Sequence, residues 1–99
     1  MALQISEARG VFSVFGKLNK GNANILKRHM TNFLNATEKV ILNLERVEQI
    51  DEIAARTLES LYRNALQNNT ILIILGKQNE KIVSTLEATN TAYILSPNR

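Results

Sequence analysis

Apolar and polar positions follow two periods along this chain. Residues 3–6, Leu3-Gln4-Ile5-Ser6, alternate as a half-buried strand does. Residues 7–10 have the composition of a turn, and residues 11–15 read as a second strand, so the opening pair is expected to be antiparallel. Gly16 is expected to end that strand, and Asn19-Lys20-Gly21-Asn22 is a loop with a cap candidate at its end. The period then changes. Ile25, Leu26, Met30, Phe33 and Leu34 fall on one face of a helix, with Lys27, Arg28, Thr31 and Asn32 on the other.

Residues 39–44 form the next apolar strand, followed by an acidic connection, Glu48-Gln49-Ile50-Asp51. A second helix is expected over 52–67, its stripe being Ala54, Leu58, Leu61 and Ala65, widened by Tyr62 and Leu66. Asp51 precedes it at the N-cap, where a side-chain oxygen accepts from free amides. Glu52 with Arg56, and Glu59 with Arg63, are i,i+4 pairs on its solvent side. Asn68-Asn69 stops the helix. Residues 70–75 are apolar throughout, as in a central strand buried on both faces. A third helix over 79–89 buries Ile82, Val83 and Leu86; residues 92–95 read as a last strand and 96–99 as a tail.

This order is ββαβαβαβ. It predicts an α/β fold: one domain over 1–99, with a mixed, mostly parallel sheet, an antiparallel N-terminal pair and about three main helices. Three short helices cannot cover both faces of such a sheet, so one face is expected to be thinly covered or used for contact. At 99 residues a single core is all the chain can close.

Composition removes several kinds of chemistry. Cysteine is absent, which excludes disulfides and thiolate sites and suits a reducing, cytoplasmic setting. No apolar run approaches the roughly 20 residues a membrane-spanning helix needs, so no membrane insertion is expected. The net charge is +3, but Lys27-Arg28 is the only adjacent basic pair and the five aromatic residues all fall in apolar patterns. Nucleic acid is therefore not an expected partner. The single histidine, His29, has no cysteine or second histidine to make a metal site, and it suits the flank of a core stripe. The glycines are isolated, so nothing cradles a phosphate. Asp51 and Glu52 are neighbours at a helix start and point apart, which makes a poor acid–base pair. No catalysis and no cofactor are expected.

Three stretches carry a resemblance. Val14-Phe15-Gly16-Lys17-Leu18-Asn19 is similar to a strand-Gly-x-Leu-Asp turn; Val40-Ile41-Leu42-Asn43-Leu44-Glu45-Arg46-Val47 is similar to a strand ending Leu-Asp-Leu-Ser-x-Val; Ile50-Asp51-Glu52-Ile53-Ala54 is similar to an Asp-Ser-Ser/Ala-Gly signature. In order and spacing these resemble the STAS domain family, named for sulfate transporters and anti-sigma-factor antagonists. The resemblance implies a stand-alone module acting by protein–protein contact. In the family's antagonists the first serine after the aspartate is phosphorylated by an anti-sigma factor that is also a kinase. Here that position is Glu52, which cannot accept a phosphoryl group. The family's glycine is Ala54, and its two other aspartates are Asn19 and Asn43.

Glu52 is then either a fixed mimic of the phosphorylated state or a helix-start acid paired with Arg56. Asn43 is expected to hydrogen-bond the turn that holds Asp51. The expected contact surface is Asn19, Ile50, Asp51, Glu52, Ile53, Arg56, Glu59, Ser60 and Arg63. Ile50 and Ile53 there are either anchors for a partner or a staple tucked into the core. The expected partner is an anti-sigma factor or kinase-like protein. The alternative is the ATPase of a membrane transport complex, with this chain as its small accessory subunit. A homodimer is compatible with either.

Overall fold

Arg9 and Gly10 both take positive φ, 55° and 81°, which is the backbone of a tight hairpin turn whose twist matches its strands. The hairpin joins β1 (Gln4–Ala8) to β2 (Val11–Leu18) in antiparallel register, with Ser6 opposite Ser13. The computed structural model describes residues 3–36 and 38–97; of the expected 96–99 tail, Asn98 and Arg99 lie outside them. The remaining elements are α1 (Ala23–Leu34), β3 (Lys39–Asn43), β4 (Val47–Ile50), α2 (Glu52–Gln67), β5 (Ile71–Leu75), α3 (Glu80–Ala88) and a 3₁₀ turn, Ala92–Ile94.

The strands form one mixed sheet in the order β1-β2-β3-β5, with β4 joined to β2. Only β1–β2 is antiparallel. Gly16 does not end β2, as the sequence suggested. With φ at +92° it makes a bulge inside the strand, where the register to β4 shifts between Gly16 and Lys17. The bulge re-aims β2, so that Val11–Ser13 pair with β3 and Gly16–Leu18 with β4.

β4 replaces the acidic connection expected before α2. Its residues, Val-Glu-Gln-Ile, do not alternate in hydropathy, so their period hides the strand. The apolar run of β5 is likewise not the mark of a central strand. β5 is adjacent to β3, as expected, but beyond it lies only a single bridge from Ile74 to Leu95. Ile71 is exposed, and Ile73 and Leu75 are half-buried.

Burial alternates along β2, β3 and β5. Phe12, Val14, Val40, Leu42, Leu72 and Ile74 point into the core beneath the helices, whereas Val11, Phe15, Ile41 and Ile73 lie on the thinly covered opposite face. The helices supply Leu26, Met30 and Leu34 from α1, Leu58, Leu61 and Ala65 from α2, and Ile82 and Leu86 from α3. Two positions correct the expected stripes. Ile25 and Leu66 are 51% and 60% exposed, and Ala23 and Ala55 take buried places instead. On α1 the run Ala23, Leu26, Met30, Leu34 sets the phase, and Ile25 falls well round toward the opposite side of the helix.

α2 and α3 end alike. Asn69 and Asn90 adopt left-handed φ of 58° and 59°, and the amides of Thr70 and Thr91 reach back to the carbonyls of Ala65 and Leu86. The expected last strand at 92–95 is therefore a 3₁₀ turn. Of residues 92–95 only Leu95 reaches the sheet, by its single bridge to Ile74, and Pro97 has no N–H to extend a ladder.

Candidate functional site

Asp51 is the N-cap of α2, with extended backbone and Oδ1 accepting from the Ala54 amide at 2.8 Å. Its Oδ2 accepts from the Lys20 amide at 2.9 Å, and its own amide donates to the Leu18 carbonyl. One carboxylate thus closes the start of α2 and clamps the β2–α1 loop beside it. The loop is preorganised by asparagines. Asn19 Oδ1 accepts from the Gly21 amide, Asn22 Oδ1 accepts from the Asn19 amide, and Asn22 Nδ2 donates to the Lys17 carbonyl, each at 2.9 Å. Asn22 precedes α1 but makes no side-chain cap. Its amide is used to shape the loop.

Glu52 follows at the first helical position. Its side chain is 65% exposed and pairs with Arg56 at 3.1 Å, as the i,i+4 spacing implied. Next to it the two isoleucines part company. Ile50 packs against the core, whereas Ile53 is 52% exposed. Ala54 is fully buried, so the small residue there faces the core.

The rest of the expected surface divides. Ser60 faces α1 and accepts from Lys27 Nζ at 3.2 Å. Glu59 and Arg63 turn toward the 3₁₀ turn. The Tyr93 hydroxyl donates to Glu59 Oε2, and Arg63 Nε donates to the Tyr93 oxygen at 3.1 Å. Tyr62 meets Tyr93 edge-to-face at 6.1 Å. Arg63 is raised above its ordinary value, first by the Tyr93 hydrogen bond, and Tyr93 is raised first by its bond to Glu59 and then by burial. These residues fasten the C-terminal segment to α2. They form a cluster separate from the Asp51 rim.

Asn43 does not reach the Asp51 turn. Its Oδ1 accepts from the Glu45 amide, in the turn before β4. That turn is held by Asn79, whose Nδ2 donates to the carbonyls of Leu44, Glu45 and Val47 while its Oδ1 caps α3. His29 is exposed on α1, with its ring against Phe12 and Phe33. Among the described residues no group of three or more His, Asp or Glu could hold a metal, and no helix is long and apolar enough to cross a membrane.

Sequence reasoning missed Lys20, Lys27 and Tyr93. Each acts on a residue about thirty positions away, and no local pattern signals a contact at that distance.

A mixed sheet with helices on one face, and a capped strand-to-helix turn at its rim, define an α/β domain of the single-sheet kind. A family model for the STAS domain matches residues 1–95, and the chain belongs to that family. Solved structures share the fold. The anti-sigma factor antagonist SpoIIAA in its unphosphorylated form has a TM-score of 0.73 at 15% identity, over 96% of this chain and 86% of that one. The protein tm1081 from Thermotoga maritima has a TM-score of 0.73 at 23% identity, over 95% and 83%. The Bacillus cell fate determinant SpoIIAA in its phosphorylated form has 0.67 at 16% identity, over 96% and 89%. No curated protein sequence matches the chain.

Proposed function

We propose that the protein works by contact with another protein through the rim of α2, as an anti-sigma-factor antagonist or a related partner-switching regulator in which Glu52 replaces the phosphorylatable serine. The observation that carries this reading is the pairing of an exposed Ile53 with an exposed Glu52 on a backbone fixed by Asp51. An apolar side chain on a rigid, capped turn loses little conformational freedom on binding and is good anchor material. The protein is non-catalytic in this reading. Both oxygens of Asp51 are engaged by backbone amides and Glu52 by Arg56, so neither is poised to move a proton. The partner is an anti-sigma or kinase-like protein in the cytoplasm.

Affinity capture from the host's own cells tests the rim. The wild-type chain is expected to recover a partner that Ile53→Asp does not, with both chains melting alike because Ile53 is off the core. Equal recovery by both would contradict the assignment.

A further inference from the structure

Between Glu7 and Glu38 the chain carries five cations, Arg9, Lys17, Lys20, Lys27 and Arg28, and no acidic residue. All of α1 lies within this span. The two ion pairs among the described residues are both internal to α2. That helix neutralises Arg56 and Arg63 with its own glutamates, whereas α1 has no acid to answer Lys27 and Arg28. The Lys27 ammonium is held on Ser60 Oγ at the seam between the helices. Asn24, Lys27, Arg28, Thr31 and Asn32 line a shallow depression along the outer side of α1, and Ile25 is half exposed on the same helix. The face therefore offers positive charge, amide and hydroxyl groups, and one apolar side chain.

We infer that this outer face of α1 docks an acidic segment of a partner protein, its carboxylates against Lys27 and Arg28 and an apolar side chain against Ile25. Charge complementarity selects the occupant. An anionic membrane would call for a broad apolar face, and α1 exposes one large apolar side chain, Ile25. A nucleic acid would call for a longer line of cations, and the carboxylate of Asp51, clamped to the Lys20 loop, with Glu52 next to it in the chain, repels phosphates at its end. A folded partner can place a few carboxylates and still avoid that acidic corner. Such contacts act mainly on association rate and on selectivity between partners. The inference rests on the reading that the protein works by protein contact. It uses a different helix from the Glu52 rim, so each can fail alone.

The test is an NMR titration of the isotope-labelled protein at low salt with a glutamate-rich peptide carrying one leucine. Amide shifts are expected to concentrate over residues 24–32. Lys27→Glu with Arg28→Glu is expected to weaken binding at least about tenfold. Lys77→Glu with Lys81→Glu, the same change in net charge placed beyond β5, is expected to leave binding within a factor of about two. Lys27→Gln with Arg28→Gln gives the same readout should the reversed pair fail to fold. Four results would overturn the inference: shifts scattered over the surface, equal loss in the Lys77/Lys81 pair, equal binding of an all-glutamine peptide, or tighter binding at α1 of duplex DNA or phosphatidylglycerol vesicles than of the peptide.

Discussion

Asp51 divides its carboxylate between two backbone amides, Ala54 within α2 and Lys20 across the fold. Removing it should release both. Asp51→Ala is expected to cost about 0.5–2 kcal/mol for the cap and to speed hydrogen exchange at the Lys20 amide. A melt and an exchange rate that both stay unchanged would show that the clamp is not there in solution. The cap was legible in the sequence because it is local: an aspartate before an amphipathic run. The Lys20 bond was not, because nothing at position 20 marks a partner thirty-one residues on. Tyr93 is a second such case. Its phenol proton is held by the Glu59 carboxylate, which raises it above the ordinary tyrosine value of about 10. The tie is intact below that ordinary value and is lost as pH rises through the raised one. Glu59→Gln is expected to bring the Tyr93 titration back toward about 10, read from tyrosinate absorbance with Tyr62→Phe as background. An unmoved titration would assign the shift to burial alone.

At the scale of elements, the helices were easier to read than the strands. α2 begins and ends where its cap, stripe and paired asparagines say, because each signal lies within the helix. β4 was hidden because four residues without alternation gain their pairing only from the second half of β2. The apolar run of β5 was misleading for a related reason. Burial there depends on what lies beyond the strand, and only a bridge from Leu95 does. Gly16 makes the bulge at which β2 passes from β3 to β4. Its positive φ disfavours any residue with a Cβ by roughly 1–2 kcal/mol. Gly16→Ala should therefore lower the melting temperature by about 4 °C or more in a domain of this size. An unchanged melt would mean that the bulge relaxes without strain.

Across the whole molecule, charge and exposure are distributed unevenly. α2 pairs its own ions and turns Glu59 and Arg63 toward Tyr93, while its first turn leaves Glu52 and Ile53 in solvent next to the loop fixed by Asp51. The STAS fold gives this rim a position, and the residues on it decide what it does there. In the function proposed above, Glu52 carries one negative charge where a phosphoserine would carry about 1.5 to 2, and so would copy the sign of a phosphorylated rim and part of its field. The most direct measurement is calorimetric titration of the captured partner with wild type and with Glu52→Ser, alongside melts of both. If Glu52 stands in for the phosphorylated state, restoring the hydroxyl should tighten binding by about five- to hundredfold, roughly 1–3 kcal/mol. Stability should fall by under about 1 kcal/mol, through the lost first-turn charge and Arg56 pair. Unchanged affinity with a slightly lower melting temperature would contradict that account and leave Glu52 a helix-start acid alone.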